Sequence, residues 1–344
     1  MSEQTFRILS LDGGGVRGVM AAVWLNELEK QLSAPLHRYF DLIAGTSTGS
    51  VIGAVIALGV DCEHIIDMYH QRSSQIFPSE AHGLWHKASR LFSEGISRPI
   101  YSEEGMAEVF KEVFADQVLG DVKTPLLVPS YDLLGCHNII FKSWKPHHAE
   151  LSLWEICKAS ASAPTYFPAH VMQMGRVKLP LVDGGLIANN PSMCAVTEAL
   201  KINSRCGDEG LGLNNFMVAS FSTGEYVNSI SLEDGREWGP LEWAKNLVDV
   251  MFNASSTAID HWAETLIPDK QYYRFKLRLE EKEAEMDNAD EAVINALMVK
   301  AQHYIRTGSG KKKLDKLVAC LESEGERSDT NNFSACFLPQ SDDA

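Results

Sequence analysis

Residues 42–60, LIAGTSTGSVIGAVIALGV, form a stretch of nineteen residues without a charged side chain. That length suffices for a membrane-spanning helix, but the order of residues argues against one. Four apolar residues lead into Gly-Thr-Ser-Thr-Gly-Ser, which is poor helix material, and a second apolar run then ends at Gly59. The pattern reads as a buried strand, a tight turn and a buried helix. The N-terminal stretch ILSLDGGGVRG (8–18) follows the same plan, running an apolar strand into three glycines, Arg17 and Gly18. Two strand–turn–helix units so close together point to parallel strands buried on both faces.

The rest of the chain continues the alternation. Strand signals fall at 6–11, 41–44, 126–131, 138–141, 177–182, 216–221 and 272–279. Helix signals fall at 16–32, 48–58, 153–162, 191–201, 241–259 and 291–305, with Asn190 as an N-cap before Pro191. The expected architecture is an α/β fold with a mostly parallel central sheet. No internal repeat or domain linker interrupts it, so one catalytic domain over 5–320 is expected. Residues 61–120 are polar and mainly helical and read as a cap or lid inserted over the sheet. Within them Leu84, Trp85, Leu91 and Phe92 stand beside Lys87 and Arg90, a mixture suited to a membrane interface. Residues 323–344 are acidic and rich in small residues, and read as a disordered tail.

Charge and cysteine usage narrow the partners. A net charge of −15 argues against a nucleic-acid polymer, which needs a basic surface. The run GKKKLDK (310–316) reads as a solvated helix face. Seven cysteines, odd in number and widely spaced without a C-x-x-C, suggest neither a disulfide framework nor a zinc site, and fit a reducing cytosol. The N-terminus has an acid at Glu3 and no long apolar region, so no secretory signal is read there.

Three motifs carry chemistry. Gly45–Gly49, GTSTG, is G-x-S-x-G between an apolar strand and an apolar helix, the setting of a nucleophile elbow. Ser47 would project from the turn, with Gly45 and Gly49 removing side chains that would collide. Asp183 ends an apolar strand and is followed by Gly184 and Gly185. It reads either as a base for the serine or as an ordinary Asx-turn. Gly13, Gly14 and Gly15, with Arg17 beside them, supply backbone N–H groups suited to an oxyanion. Gly13, Gly15 and Gly18 also fit the dinucleotide fingerprint G-x-G-x-x-G. That reading needs an acid after the second strand, where the serine turn stands instead. No G-x-x-x-x-G-K-[ST] occurs. His261 and His303 follow both Ser47 and Asp183 and would complete a triad, though each is more commonly a surface or packing histidine.

DGGGVRG, GTSTG and DGG together resemble the patatin-like phospholipases. ASASAPTYFP (159–168) is similar to that family's Ala-Ser-x-x-x-Pro-x-x-Phe-x-Pro block, and DGGLIANNP to its Asp-Gly-Gly block. The stretch 241–262, the strand around YYRF and MDNAD are also family-like. The resemblance implies a three-layer α/β/α sandwich, a Ser–Asp dyad at Ser47 and Asp183, and an oxyanion hole at Gly13–Gly15 with Arg17 nearby. It implies a phospholipase A-type hydrolase of membrane glycerophospholipids, with peripheral membrane contact and no metal or cofactor. Location is expected in the cytoplasm at the inner face of the membrane. One departure is FSTG after the strand at 216–221, where members often carry a further glycine. No effect on the chemistry is expected from it. Some bacterial relatives are antiphage effectors switched on by cyclic nucleotides. The layout is compatible with that subgroup, which leaves a cyclic nucleotide activator and a homo-oligomer open. The alternatives are a general lipid acyl hydrolase or acyltransferase without nucleotide control, and a catalytically silent interaction module on the same fold.

Overall fold

Alternation along the first strand sets up the layers. In β1 (Phe6–Leu11), Phe6 and Ile8 face one side of the sheet while Leu9 and Leu11 face the other, and all four are buried. A strand buried on both faces needs helices on both faces, and a computed structural model supplies them. It describes residues 5–78, 99–205, 211–226, 230–280 and 283–327. The other strands are β2 (Leu42–Gly45), β3 (Leu126–Asp132), β4 (His137–Lys142), β5 (His170–Met174), β6 (Val177–Asp183), β7 (Phe216–Phe221) and β8 (Tyr272–Phe275). They form one 8-stranded sheet in the order β5-β6-β3-β2-β1-β7-β8, with β4 also paired to β3.

The principal helices are α1 (Gly18–Glu29), α2 (Thr48–Ala57), α3 (Cys62–Ile76), α4 (Glu103–Phe114), α5 (Leu153–Ala161), α6 (Gly185–Ala188), α7 (Ser192–Arg205), α8 (Pro240–Leu266), α9 (Glu291–Arg306) and α10 (Gly308–Glu324). Helices α1–α5, α9 and α10 bury their apolar sides with Leu9, Leu11 and Ile43 on one face. Helix α7 and the end of α8 cover Phe6, Ile8, Leu42 and Ala44 on the other. This is the three-layer α/β/α sandwich that the family resemblance implies. The largest core side chain, Trp24, is fully buried, and its Nε1–H donates to Ala301 O at 3.0 Å, fastening α1 to α9.

The uncharged stretch 42–60 is a strand, a turn and a buried helix, as its order suggested. Among the described residues no helix is long and apolar enough to cross a membrane. Strands β1, β2, β3, β7 and β8 run parallel, whereas β4, β5 and β6 form an antiparallel arm. Strand β5 had no sequence signal of its own. It is an edge strand of alternating buried and exposed residues, fixed by its hairpin with β6.

Two boundaries shift. Within 61–120, α3 and α4 are not laid over the sheet from outside. Ile65, Met106, Val109 and Phe110 join the main core. The expected interfacial side chains Leu84, Trp85, Lys87, Arg90, Leu91 and Phe92 lie outside the described residues. The tail was expected from 323, yet α10 continues to Glu324 and Arg327 is anchored by an ion pair to Asp41 at 3.0 Å. The helix holds because Leu314, Leu317 and Leu321 recur on one face and are buried.

Candidate active site

Strand register brings the two candidate residues together. One stretch of β3 pairs in parallel with β2, Leu126 and Leu127 lying against Ile43 and Ala44. The next stretch pairs antiparallel with β6, Ser130 lying against Asp183. The C-terminal ends of β2 and β6 therefore point at each other beside Pro129. The turn after β2 carries Ser47, and the last residue of β6 is Asp183. Pro129 has no N–H to leave unpaired in that gap. Its carbonyl accepts from Ser160 Oγ at 2.7 Å, and Ser160 Oγ in turn accepts the Ser47 N–H at 2.9 Å.

Ser47 has φ 53° and ψ −124°, a conformation that L-residues seldom adopt. The turn can be this tight because of its glycines. A Cβ on Gly45 would strike Gly49 O, and one on Gly49 would strike Leu11 O. Ser47 stands at the N-cap of α2, where the helix dipole favours negative charge. Thr48, next to it, is hydrogen-bonded through its hydroxyl to Tyr69 of α3.

Asp183 is fully buried. Its Oδ1 accepts the Gly185 N–H at 2.7 Å, while Oδ2 has no full hydrogen-bond partner. Burial pushes its pKa up to about 7, only partly opposed by the Gly185 N–H and the nearby Ser47 hydroxyl. Gly184 and Gly185 allow the close packing that buries it. A Cβ on Gly184 would meet Pro129 O, and one on Gly185 would meet Phe252. His261 and His303 are exposed, and among the described residues no histidine lines the cavity around Ser47.

The glycine turn after β1 faces the same space. Gly13 N–H donates to Asn189 O at 3.0 Å and Val16 N–H to Met286 O at 2.9 Å. Gly14 and Gly15 lie between them, and among the described residues neither N–H has a backbone acceptor. Both peptide planes are held from the carbonyl side. Thr223 Oγ1 donates to Gly13 O at 2.6 Å, and Arg17 Nε donates to Gly14 O at 3.3 Å. In a trans peptide the N–H points opposite to the C=O, so these two bonds aim the Gly14 and Gly15 N–H groups. Gly13 is thus a close-packed neighbour of Ser47 rather than a free donor. The buried Arg17 side chain orients the turn and also binds Ala284 O at 3.1 Å. Thr223, in the FSTG that follows β7, is the residue that holds Gly13 O. Behind the turn, Asp12 is paired with Arg274 through both carboxylate oxygens, at 2.8 and 2.6 Å.

Ser47, Asp183 and Gly15 open on a cavity of about 720 Å³, including the part open to solvent. Its walls are Val51 of α2, Met68 and Ile76 of α3, Met106 and Phe110 of α4, and Phe252 of α8. Such a space is sized and lined for an apolar ligand. Among the described residues no group of three or more His, Cys, Asp or Glu side chains could hold a metal ion. Sequence reasoning missed Ser160 and Thr223 as parts of the site. Both stand in motifs that were read, but without a role.

The chain belongs to the patatin-like phospholipase family, whose model matches residues 9–196, a span that includes the glycine turn, Ser47 and Asp183. It is therefore a lipid acyl hydrolase. It is 29% identical over 315 residues to patatin-like protein 1 of Arabidopsis thaliana, covering 81% of this chain and 75% of that protein. It is 26% identical over 331 residues to patatin-15 of Solanum tuberosum, covering 86% of this chain and 82% of that one. Among solved structures, VipD from Legionella pneumophila aligns at a TM-score of 0.41 and 10% identity, over 87% of this chain and 67% of that one. That likeness is too distant to bear on function.

Proposed function

We propose that the protein hydrolyses acyl esters of membrane glycerophospholipids through Ser47 and Asp183, as a phospholipase A. The observation that carries this reading is a serine on a strained turn beside a buried carboxylate, both opening on an apolar cavity. Ser47 Oγ attacks the ester carbonyl carbon while Asp183 takes its proton. A carboxylate raised to about 7 accepts that proton more readily than an ordinary one near 4. The Gly14 and Gly15 N–H groups stabilise the oxyanion as the tetrahedral intermediate forms. Collapse expels the lysophospholipid alkoxide, which takes the proton from Asp183. Water, deprotonated by Asp183, then attacks the acyl-enzyme. The released fatty acid leaves Ser47 with its proton restored. The cavity walls hold the acyl chain during both steps.

Mass spectrometry of phospholipid vesicles incubated with the protein tests this directly. Wild type should release fatty acid and lysophospholipid in equal amounts, and Ser47→Ala and Asp183→Asn should release neither. Turnover by a folded Ser47→Ala variant would exclude Ser47 as nucleophile. Adding a panel of cyclic dinucleotides separates a gated enzyme, whose rate rises, from a constitutive one, whose rate does not.

A further inference from the structure

Helix α8 carries apolar side chains on its outer as well as its inner side. Its inner side carries Val248 and Phe252, which pack with Ala163 and Met286 at the cavity. Its outer side carries Trp243, Leu247, Val250, Met251, Trp262 and Leu266, each between 37% and 54% exposed. With Ala254 and Ala258 these positions recur every three or four residues, so they form one stripe along the helix. No Asp, Glu, Lys or Arg stands at any of them, in a chain whose net charge is −15. Trp243 is braced edge-on by Trp238, with ring centroids 5.5 Å apart.

The stripe is continuous with the active-site cavity. Met251, Ala254, Ala258 and Trp262 line an open groove with Leu186 and Ile187 of α6. Leu186 lies three residues after Asp183 and packs on the cluster of Phe252 and Met286 that walls the cavity. An acyl chain passing from this face around Leu186 and Phe252 meets mainly apolar side chains. A protein partner would have no need of that continuity, whereas a lipid leaving a bilayer would.

We propose that the outer face of α8 is the surface on which this enzyme lies against a lipid bilayer of zwitterionic headgroups. The proposal rests on the reading of the cavity as a lipid-hydrolase site. Exposed tryptophans at both ends of the stripe suit the headgroup level, and apolar side chains between them suit the acyl boundary. With no cation on the stripe and a negative protein behind it, an anionic surface is repelled rather than attracted.

The experiment uses the full chain and phosphatidylcholine vesicles. The double variant Leu247→Asn with Trp262→Gln should lose about tenfold or more in vesicle co-flotation and in vesicle hydrolysis. Its turnover of a dissolved short-chain ester should stay within about twofold of wild type. Val299→Asn, at a 66% exposed apolar position on α9, should change neither. Ser47→Ala should float with the vesicles like wild type. Undiminished flotation of the double variant overturns the proposal. So does tighter flotation on phosphatidylglycerol vesicles than on phosphatidylcholine. A dimer by light scattering that the double variant converts to monomers, with flotation retained, overturns it in favour of a contact between copies of the chain. Should the double variant fail to fold, brominated phosphatidylcholine must quench wild-type tryptophan fluorescence more than that of Trp262→Phe, and equal quenching overturns the proposal. Flotation that depends on the stripe without any ester turnover by wild type would sink the hydrolase reading and leave the docking surface standing.

Discussion

A buried carboxylate with only one partnered oxygen is a poor anion and a better base, and Asp183 is held in that state. Two predictions follow from the sign of its shift. Proton abstraction needs the charged form, so kcat/KM on a dissolved ester should rise through a single acidic limb near pH 7, following the value to which burial pushes Asp183, about 7. A limb near pH 4 would mean that the site is wetter than its packing implies. For stability the sign is opposite. Between the usual 3.8 and about 7 the folded state binds the proton more tightly than the unfolded one, so stability falls as pH rises across that window. Asp183→Asn should therefore abolish turnover, yet raise stability at pH 8 by about 1 kcal/mol or more, with the gain vanishing near pH 4. Thermal melts at both pH values decide it. Ser160 is the other informative residue, because it touches the proposed nucleophile, Ser47, only through its backbone. Ser160→Ala leaves the Ser47 N–H and Pro129 O unpaired, at a cost of about 1–3 kcal/mol. Since the turn is displaced without altering the cavity, kcat should fall about tenfold with KM little changed.

The turn from β1 into α1 works as a clamped unit. The Gly14 and Gly15 N–H groups are aimed by hydrogen bonds made on the opposite sides of their peptides, from Thr223 and Arg17. Gly14 has φ 152°, and a Cβ there would drive into Thr223. Gly14→Ala should lower kcat about 10²–10³-fold, the scale of losing an oxyanion donor. Thr223→Val keeps the shape but frees Gly13 O and should give a smaller loss. If Thr223→Val matched Gly14→Ala in steady-state assays, the hydroxyl would itself be a donor to the reacting oxygen. These elements also show what a sequence can reveal. The serine turn was legible because its glycines, its serine and its flanking apolar runs are neighbours in the chain. Asp183 was legible as a strand end, but its burial was not, because that depends on β6 meeting β2 head to head along β3. Ser160 and Thr223 act on residues 113 and 210 positions away, and no local pattern encodes such a partnership. The walls α3 and α4 were read as a cap because their polar residues outnumber the few, such as Ile65, Met106 and Phe110, that reach the core.

Over the whole molecule, the proposed catalytic residues and the anchoring of the chain's C-terminal helix occupy opposite ends of β1. Ser47 and the glycine turn follow the C-terminal ends of β2 and β1, and Asp183 is the last residue of β6. At the other end, the start of β1, the fully buried Arg7 closes the chain on itself. Its guanidinium pairs with Glu324 at 2.9 Å and donates to Tyr39 O at 3.2 Å and Gly325 O at 2.8 Å. Its backbone N–H donates to Asp41 Oδ2 at 2.8 Å, and Arg327 pairs with the same carboxylate at 3.0 Å. This network holds the end of α10 against β1, more than 300 positions earlier in the chain. Removing the buried cation strands Glu324 and two carbonyls, so Arg7→Met should cost about 3–5 kcal/mol by chemical denaturation. Glu324→Gln should cost less, about 1 kcal/mol, because its side chain is 34% exposed and water can replace the charge. Neither change reaches the end that holds the candidate site, where β1 enters the glycine turn only after four further residues of paired strand. The folded fraction of both variants should therefore turn over a dissolved ester at the wild-type kcat. A kcat that fell along with stability would show that the anchored end and the glycine turn move together through β1.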